Sequence, residues 1–244
     1  MHICGLSGRR SVLLAAVSLA VLLSGCESRL GKDMPNPSAD TLPVFPSVSA
    51  APETPTPVSA SPSAPPVVAD DELVEVIDYI PTLYVDLKYA TTDNFTGQII
   101  YDFSDARLRY GTVVKLAAVQ AQLAQQGYSL KIWDAYRPVS AQFKLWNICP
   151  NPVYVSDPNK GFSKHSRGNT IDVTLVKADG SEIEMPSGFD DFTALADRDY
   201  SDVSKTARVN VRLLEDTMTA GGFKGYSGEW WHYSDSTDYP VIKD

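Results

Sequence analysis

Two short segments of this 244-residue chain carry side chains that can hold a divalent cation and work on water beside it. In Ser163-Lys164-His165-Ser166-Arg167-Gly168-Asn169-Thr170-Ile171-Asp172, an imidazole sits in a polar, glycine-containing turn and a carboxylate follows seven positions later. In Glu229-Trp230-Trp231-His232, a carboxylate precedes a second imidazole. His165 and His232 are the only histidines after His2. Catalytic zinc takes three nitrogen or oxygen ligands and keeps a position for water. His165, Asp172 and His232 supply such a set, and Glu229 is then the base that takes the water's proton. Separately, each segment reads equally well as ordinary structure: a surface histidine, a hydrogen-bonded strand aspartate, an aromatic strand packed on the core. The joint case is stronger, because both histidines are used and a carboxylate accompanies each.

The elements that must position these groups follow from periodicity. Val113, Leu116, Ala117, Leu123 and Ala124 recur at helical spacing, which predicts a helix over 112–126 that ends at Gly127, with Gln120 interrupting the stripe. Residues 128–134 alternate as a strand, and Pro138 opens a helix through Trp146. Residues 170–175 alternate strictly, with Ile171, Val173 and Leu175 on one face and Thr170, Asp172 and Thr174 on the other. A helix over 206–220 with a stripe of Val209, Leu213, Leu214 and Met218 closes at Gly221-Gly222, and 230–234 read as a strand. In a regular strand, positions i and i+3 face opposite sides. Glu229 is therefore expected in the loop entering the last strand, so that it can share a site with His232. Helices and strands mix without βαβ alternation, which favours an α+β fold.

The N-terminal third is of a different kind. Arg9 and Arg10 precede an apolar run, Val12 to Leu23, too short to span a bilayer comfortably. The run ends in Leu23-Ser24-Gly25-Cys26, which resembles the bacterial lipobox. Residues 1–25 are thus expected to be a lipoprotein signal peptide and Cys26 the lipidated residue. Residues 26–70 are rich in proline, serine and alanine and read as a disordered tether, and the folded domain is expected over 71–244. Cys149 follows an apolar stretch and is expected to be a buried thiol, not a nucleophile. The net charge of −9 argues against nucleic acid as a partner.

The segments SKHSRGNTIDVTL, WDAYRP and EWWHY, in this order and spacing, resemble the VanX-type D-alanyl-D-alanine dipeptidases, zinc enzymes related to the D,D-carboxypeptidases. KYATTDNFTGQIIY and SGFDDF are weaker echoes, and together the matches span about 73 to 240. The resemblance implies a single zinc-peptidase domain with a mainly antiparallel central sheet and flanking helices. It implies one zinc ion per chain, held by His165, Asp172 and His232, with Glu229 as catalytic base and Arg137 stabilising the oxyanion. Asp190 matches an aspartate that holds the free amine of a small D-amino-acid dipeptide, and Ser163 a serine of the same pocket. A bland alternative for Arg137 is a surface ion pair with Asp134, and for Asp190 a helix cap. Where the family commonly has glycine after the methionine, Met185 is followed here by Pro186-Ser187-Gly188. With the lipobox, the resemblance points to the cell envelope, facing away from the cytoplasm, and to wall turnover or dipeptide scavenging. Two other readings stay open: a D,D- or L,D-carboxypeptidase acting on peptidoglycan stems, and a non-catalytic, zinc-containing wall-binding lipoprotein.

Overall fold

A computed structural model describes residues 67–243. The expected signal peptide, Cys26 and nearly all of the expected tether lie outside the described residues. The described chain runs β1 (Leu73–Glu75), α1 (Val76–Tyr79), β2 (Tyr84–Val85), β3 (Arg107–Arg109), α2 (Tyr110–Ala124), β4 (Tyr128–Asp134), α3 (Val139–Ile148), β5 (Thr170–Lys177), α4 (Lys205–Ala220), β6 (Phe223–Tyr226) and β7 (Glu229–Asp235). Five strands form one sheet in the order β2-β4-β5-β7-β6. Only the short β2 runs parallel to its neighbour; the other pairings are antiparallel. This is the α+β architecture expected from the unpatterned mixture of helices and strands. Among the described residues no helix is long and apolar enough to cross a membrane.

Why these residues form these elements is clear at three places. The turn that follows α2 closes at Gly127, whose φ of 81° is left-handed backbone that glycine adopts freely. Gln120 breaks the apolar stripe of α2 yet is buried, because its amide serves the next strand: Nε2 donates to Ser129 Oγ at 3.0 Å and Oε1 accepts from Leu130 N at 2.9 Å. Helix α4 starts where Ser204 Oγ accepts from Ala207 N at 3.0 Å. Its buried stripe is Ala207, Val211, Leu214 and Met218, and Leu213 is only partly covered. Val209, expected in that stripe, is 61% exposed. It lies two residues from Ala207 and from Val211, which turns it about 200° away from each.

Strand β5 is buried from Thr170 to Val176, on both faces. Its apolar positions Ile171, Val173 and Leu175 join the core, with α4 packed against the strand. Its polar face is covered by the segments that carry the site. Cys149 is buried, as expected; the other two cysteines, Cys4 and Cys26, lie outside the described residues. Arg109 pins the two ends of the domain together. Its Nη1 donates to Asp71 O, its Nη2 to Pro240 O at 3.0 Å, and its Nε to Arg167 O at 3.0 Å.

Candidate active site

Three strands bring one row of polar residues into register. Asp134 of β4 is the partner of Asp172 on β5, and Asp172 is the partner of His232 on β7. Directly opposed residues share a face of the sheet, so the three side chains stand side by side. His165 enters from a 3-10 turn, Lys164–Arg167, that leads into β5. Ser163 caps this turn, its Oγ accepting from His165 N at 3.3 Å, and Gly168 closes it with a φ of 73°.

The donor atoms of His165, Asp172 and His232 all lie within 4.8 Å of one another. His232 Nδ1 stands 3.0 Å from Asp172 Oδ1 and 3.3 Å from His165 Nε2, and His165 Nε2 is 3.4 Å from Asp172 Oδ2. His165 Nδ1 lies 2.8 Å from the Ala135 carbonyl and donates its proton there, which leaves Nε2 as a lone pair facing the cluster. Two imidazole nitrogens, one buried and one half-buried, and a carboxylate oxygen turned toward one point suit a divalent cation of zinc type. Burial would raise the Asp172 carboxyl, but without a metal a protonated His165 imidazole and the hydrogen bonds that it and His232 then donate outweigh burial and hold that carboxyl well below the usual range. Burial lowers His232 below an ordinary histidine, which favours the neutral, ligating form.

Glu229 reaches this cluster by a route that sequence reasoning did not anticipate. It does not lie in a loop before the strand: it is the first residue of β7. The ladder is not straight, however. Gly225 pairs with Tyr233, and the next residue of β6, Tyr226, pairs with Glu229. Trp230, Trp231 and His232 therefore have no partner on β6, and this wide bulge cancels the alternation that would separate Glu229 from His232. Glu229 Oε2 lies 3.6 Å from His232 Nδ1. Burial, followed by the nearby Asp172 carboxylate, raises the Glu229 carboxyl to about 7.

Asp134 was read from sequence only as a surface ion-pair partner of Arg137. It is instead fully buried and organises one wall of the site. Its Oδ2 accepts from Arg137 Nε at 3.0 Å and Nη2 at 2.5 Å, and its Oδ1 accepts from Tyr101 OH at 2.6 Å. The same Oδ2 is 3.5 Å from His165 Nδ1. Arg137 Nη1 donates to Gln142 Oε1 at 2.9 Å, and the guanidinium carbon stands 5.0 Å from the centre of the Tyr89 ring. A guanidinium has five N–H donors, so these bonds leave one on each Nη atom available to the cavity that Arg137 lines.

That cavity has a volume of about 570 Å³, within the usual ~300–1,000 Å³ of small-molecule sites. His165, Asp172, His232, Glu229, Ser163 and Asp190 all line it. Asp190 has a φ of 55°, an uncommon backbone for a residue other than glycine. Phe189 is wedged between Trp133 and Trp231, at ring separations of 5.7 and 6.1 Å. The next residue thus turns back to the cavity, where Tyr89 OH donates to Asp190 Oδ2 at 3.0 Å. Burial pushes the Asp190 carboxyl well above the usual range. No helix begins at Asp190, so the cap alternative does not apply. Tyr89 and Tyr101 were not singled out from sequence, although both belong to the KYATTDNFTGQIIY segment.

The model of the peptidase M15 family described as D-Ala-D-Ala dipeptidase matches residues 69–242. The D-alanyl-D-alanine dipeptidase of Escherichia coli strain K12 is 40% identical over 175 residues, which is 71% of this chain and 90% of that protein. The enzyme of the same name from Enterococcus faecalis is 37% identical over 168 residues, 61% of this chain and 83% of that protein. Among solved structures, a zinc-bound vancomycin-resistance D,D-pentapeptidase shares 15% identity at a TM-score of 0.36, over 56% of this chain and 76% of that one, too slight a likeness to build on. With a family model that spans the whole described domain and a relative at 40% identity, the chain belongs to the D-Ala-D-Ala dipeptidase family of zinc metallopeptidases.

Proposed function

We propose that the protein hydrolyses free D-alanyl-D-alanine and closely similar D-amino-acid dipeptides. His165, Asp172 and His232 would hold the zinc ion; when bound, it supplies a Lewis acid that polarises the scissile carbonyl and eases deprotonation of water. The remaining chemistry falls to the chain's own groups. Glu229 takes the proton of the attacking water at its carboxylate oxygen and passes it to the departing amine. The spare donors on Arg137 Nη1 and Nη2 meet the charge that develops on the carbonyl oxygen, with no reorganisation needed because Asp134 and Gln142 hold the guanidinium in place.

Asp190 supplies the selectivity. A carboxyl that burial pushes up is poorly disposed to ionise alone, and a substrate ammonium beside it makes ionisation favourable. A free N-terminus is rewarded at this position and an acylated one is not. The Ser163 hydroxyl, which accepts only a long bond from His165 N, keeps its own proton for the substrate backbone. The observation that carries this reading is the convergence of three metal-ligating atoms with Glu229 in a cavity that also holds Arg137 and Asp190.

We further propose that the enzyme acts in the cell envelope on a lipid anchor at Cys26, with residues 26–70 as spacer and wall turnover or dipeptide scavenging as its task. The support is the Leu23-Ser24-Gly25-Cys26 sequence behind an apolar run and two arginines. The decisive assay offers the purified protein free D-alanyl-D-alanine, its N-acetyl derivative and a stem pentapeptide. Rapid cleavage of the free dipeptide alone is expected. Cleavage of the pentapeptide with no cleavage of the dipeptide would replace this reading by a carboxypeptidase, and absence of any turnover in the zinc-loaded protein would leave a binding module.

A further inference from the structure

The bulge in β7 that unites Glu229 with His232 creates a debt of hydrogen bonds. Three consecutive residues have no partner on β6, and buried carbonyls without partners are costly. One side chain meets that need. Arg198 follows the 3-10 turn Ala194–Ala196, and its backbone N–H donates to Ser227 O at 3.2 Å. Its Nε donates to Tyr226 O at 2.8 Å, and its Nη2 to Trp230 O and His232 O, both at 3.0 Å. Its Nη1 reaches Tyr233 OH at 3.3 Å and Glu215 Oε1 on α4 at 3.2 Å. All five donors of the guanidinium are thus engaged, three of them on carbonyls of the irregular hairpin.

The backbone is shaped to admit this group. A Cβ placed on Gly225 would lie 2.4 Å from Arg198 Cζ and 2.6 Å from Nη2, so only glycine leaves room for the guanidinium. The plane also lies against the Tyr233 ring, with Cζ 4.5 Å from its centre. Arg198 itself does not line the cavity.

We infer that Arg198 is a positioning residue for the reaction: its guanidinium fixes the carbonyls on either side of Trp231 and so sets where the Glu229 carboxylate and the His232 imidazole stand relative to each other. This rests on the reading of those two residues as base and ligand. Lysine cannot replace it, because an ammonium lacks the planar fork that spans three carbonyls. The effect runs through the metal ligand and the base together, so zinc affinity and kcat should fall while KM, set by Asp190 and Ser163, stays near its original value.

The test uses the full chain carrying Arg198→Met, Arg198→Lys and Gly225→Ala. Zinc affinity is read by competition with a chelating dye, folding by circular dichroism and the melting of the metal-free protein, and turnover with D-alanyl-D-alanine. Outer-sphere partners of this kind typically matter by ~10–100-fold. Folded Arg198→Met and Gly225→Ala are expected to lose zinc affinity and kcat by that order, with KM within about twofold, and Arg198→Lys to recover little. Millimolar guanidinium ion added to an Arg198→Ala variant should restore zinc affinity. Folded variants that keep wild-type zinc affinity and kcat overturn the inference. So does loss of folding in both Arg198→Met and Gly225→Ala, which would make the arginine a pin for the whole domain. A wild-type protein that binds zinc but leaves the dipeptide intact defeats the proposed substrate, while the zinc titrations still judge Arg198.

Discussion

The two segments that bring imidazoles to the site solve the same problem by opposite means. The backbone of the turn around His165 is closed by its own neighbours: Ser163 caps it two residues before the histidine and Gly168 closes it three residues after, while the ring is oriented by the Ala135 carbonyl from β4. The β6–β7 hairpin is held from a distance: its ladder slips by three residues, and Arg198, some thirty positions earlier, fills the gap. A local device can be read from a short stretch of sequence and fails locally. A remote device leaves only an indirect mark near the residues it serves, here the glycine at 225 that admits the guanidinium, and its failure moves two active groups at once.

Predictions follow this contrast in order of size. The largest effect belongs to the hairpin's chemical tip. Glu229→Gln removes the base while leaving all three donors, so turnover should fall by ~10²–10⁴ with zinc content unchanged by metal analysis. If zinc is lost as well, Glu229 is a ligand and the division of labour within the hairpin is wrong. Next comes the wall shared with the turn. Asp134→Asn removes the charge facing Arg137 and His165 and should cost ~10–100-fold in zinc affinity or kcat; activity within twofold of wild type would show that the turn needs no support from β4.

Smaller effects test the turn's local closure. Gly168→Ala forces an alanine to a φ of 73° and brings its Cβ to 3.1 Å from Leu73 Cδ1. A loss of ~1–2 kcal/mol is expected by denaturant unfolding. Ser163→Ala should cost ~0.5–2 kcal/mol through the lost cap; neither change should alter the pH profile set by the hairpin. The most gradual effect is a slope. In the metal-free protein the Glu229 carboxyl stands at about 7, above its ordinary 4.5. The folded state then holds a proton that the unfolded chain has released, so this contribution is full below about pH 4.5 and is lost as pH rises through 7. The melting temperature of metal-free Glu229→Gln should show less of that decline than wild type.

How much of this was visible in the sequence divides along the same line. Strand β4 and the ends of α2 lie within two residues of where periodicity put them, because apolar spacing and Gly127 mark them directly. The polar residues of the site were visible as types: His165, Asp172, His232 and Glu229 stood out, and the structure places them together. What was hidden is the burial of polar groups whose partners lie far along the chain. Asp134 looks like a surface charge until Tyr101, Arg137 and His165 close over it. The bulge in β7 was half legible: alternation demanded a break between Glu229 and His232, which was expected as a loop before the strand, and the arginine that meets the freed carbonyls lies on another segment. Val209 shows the converse error: apolarity alone put it in the core, where helical geometry does not.

Arg109 has a practical consequence for anyone preparing this domain. One guanidinium grips the carbonyls of Asp71, Arg167 and Pro240, and the Ile242 N–H adds a bond to Ser166 O at 2.9 Å. The turn that presents His165 therefore rests on the first and last stretches of the folded region. An expression boundary drawn after residue 71 or before residue 242 would take away part of the footing of a zinc ligand, even though neither end lines the cavity.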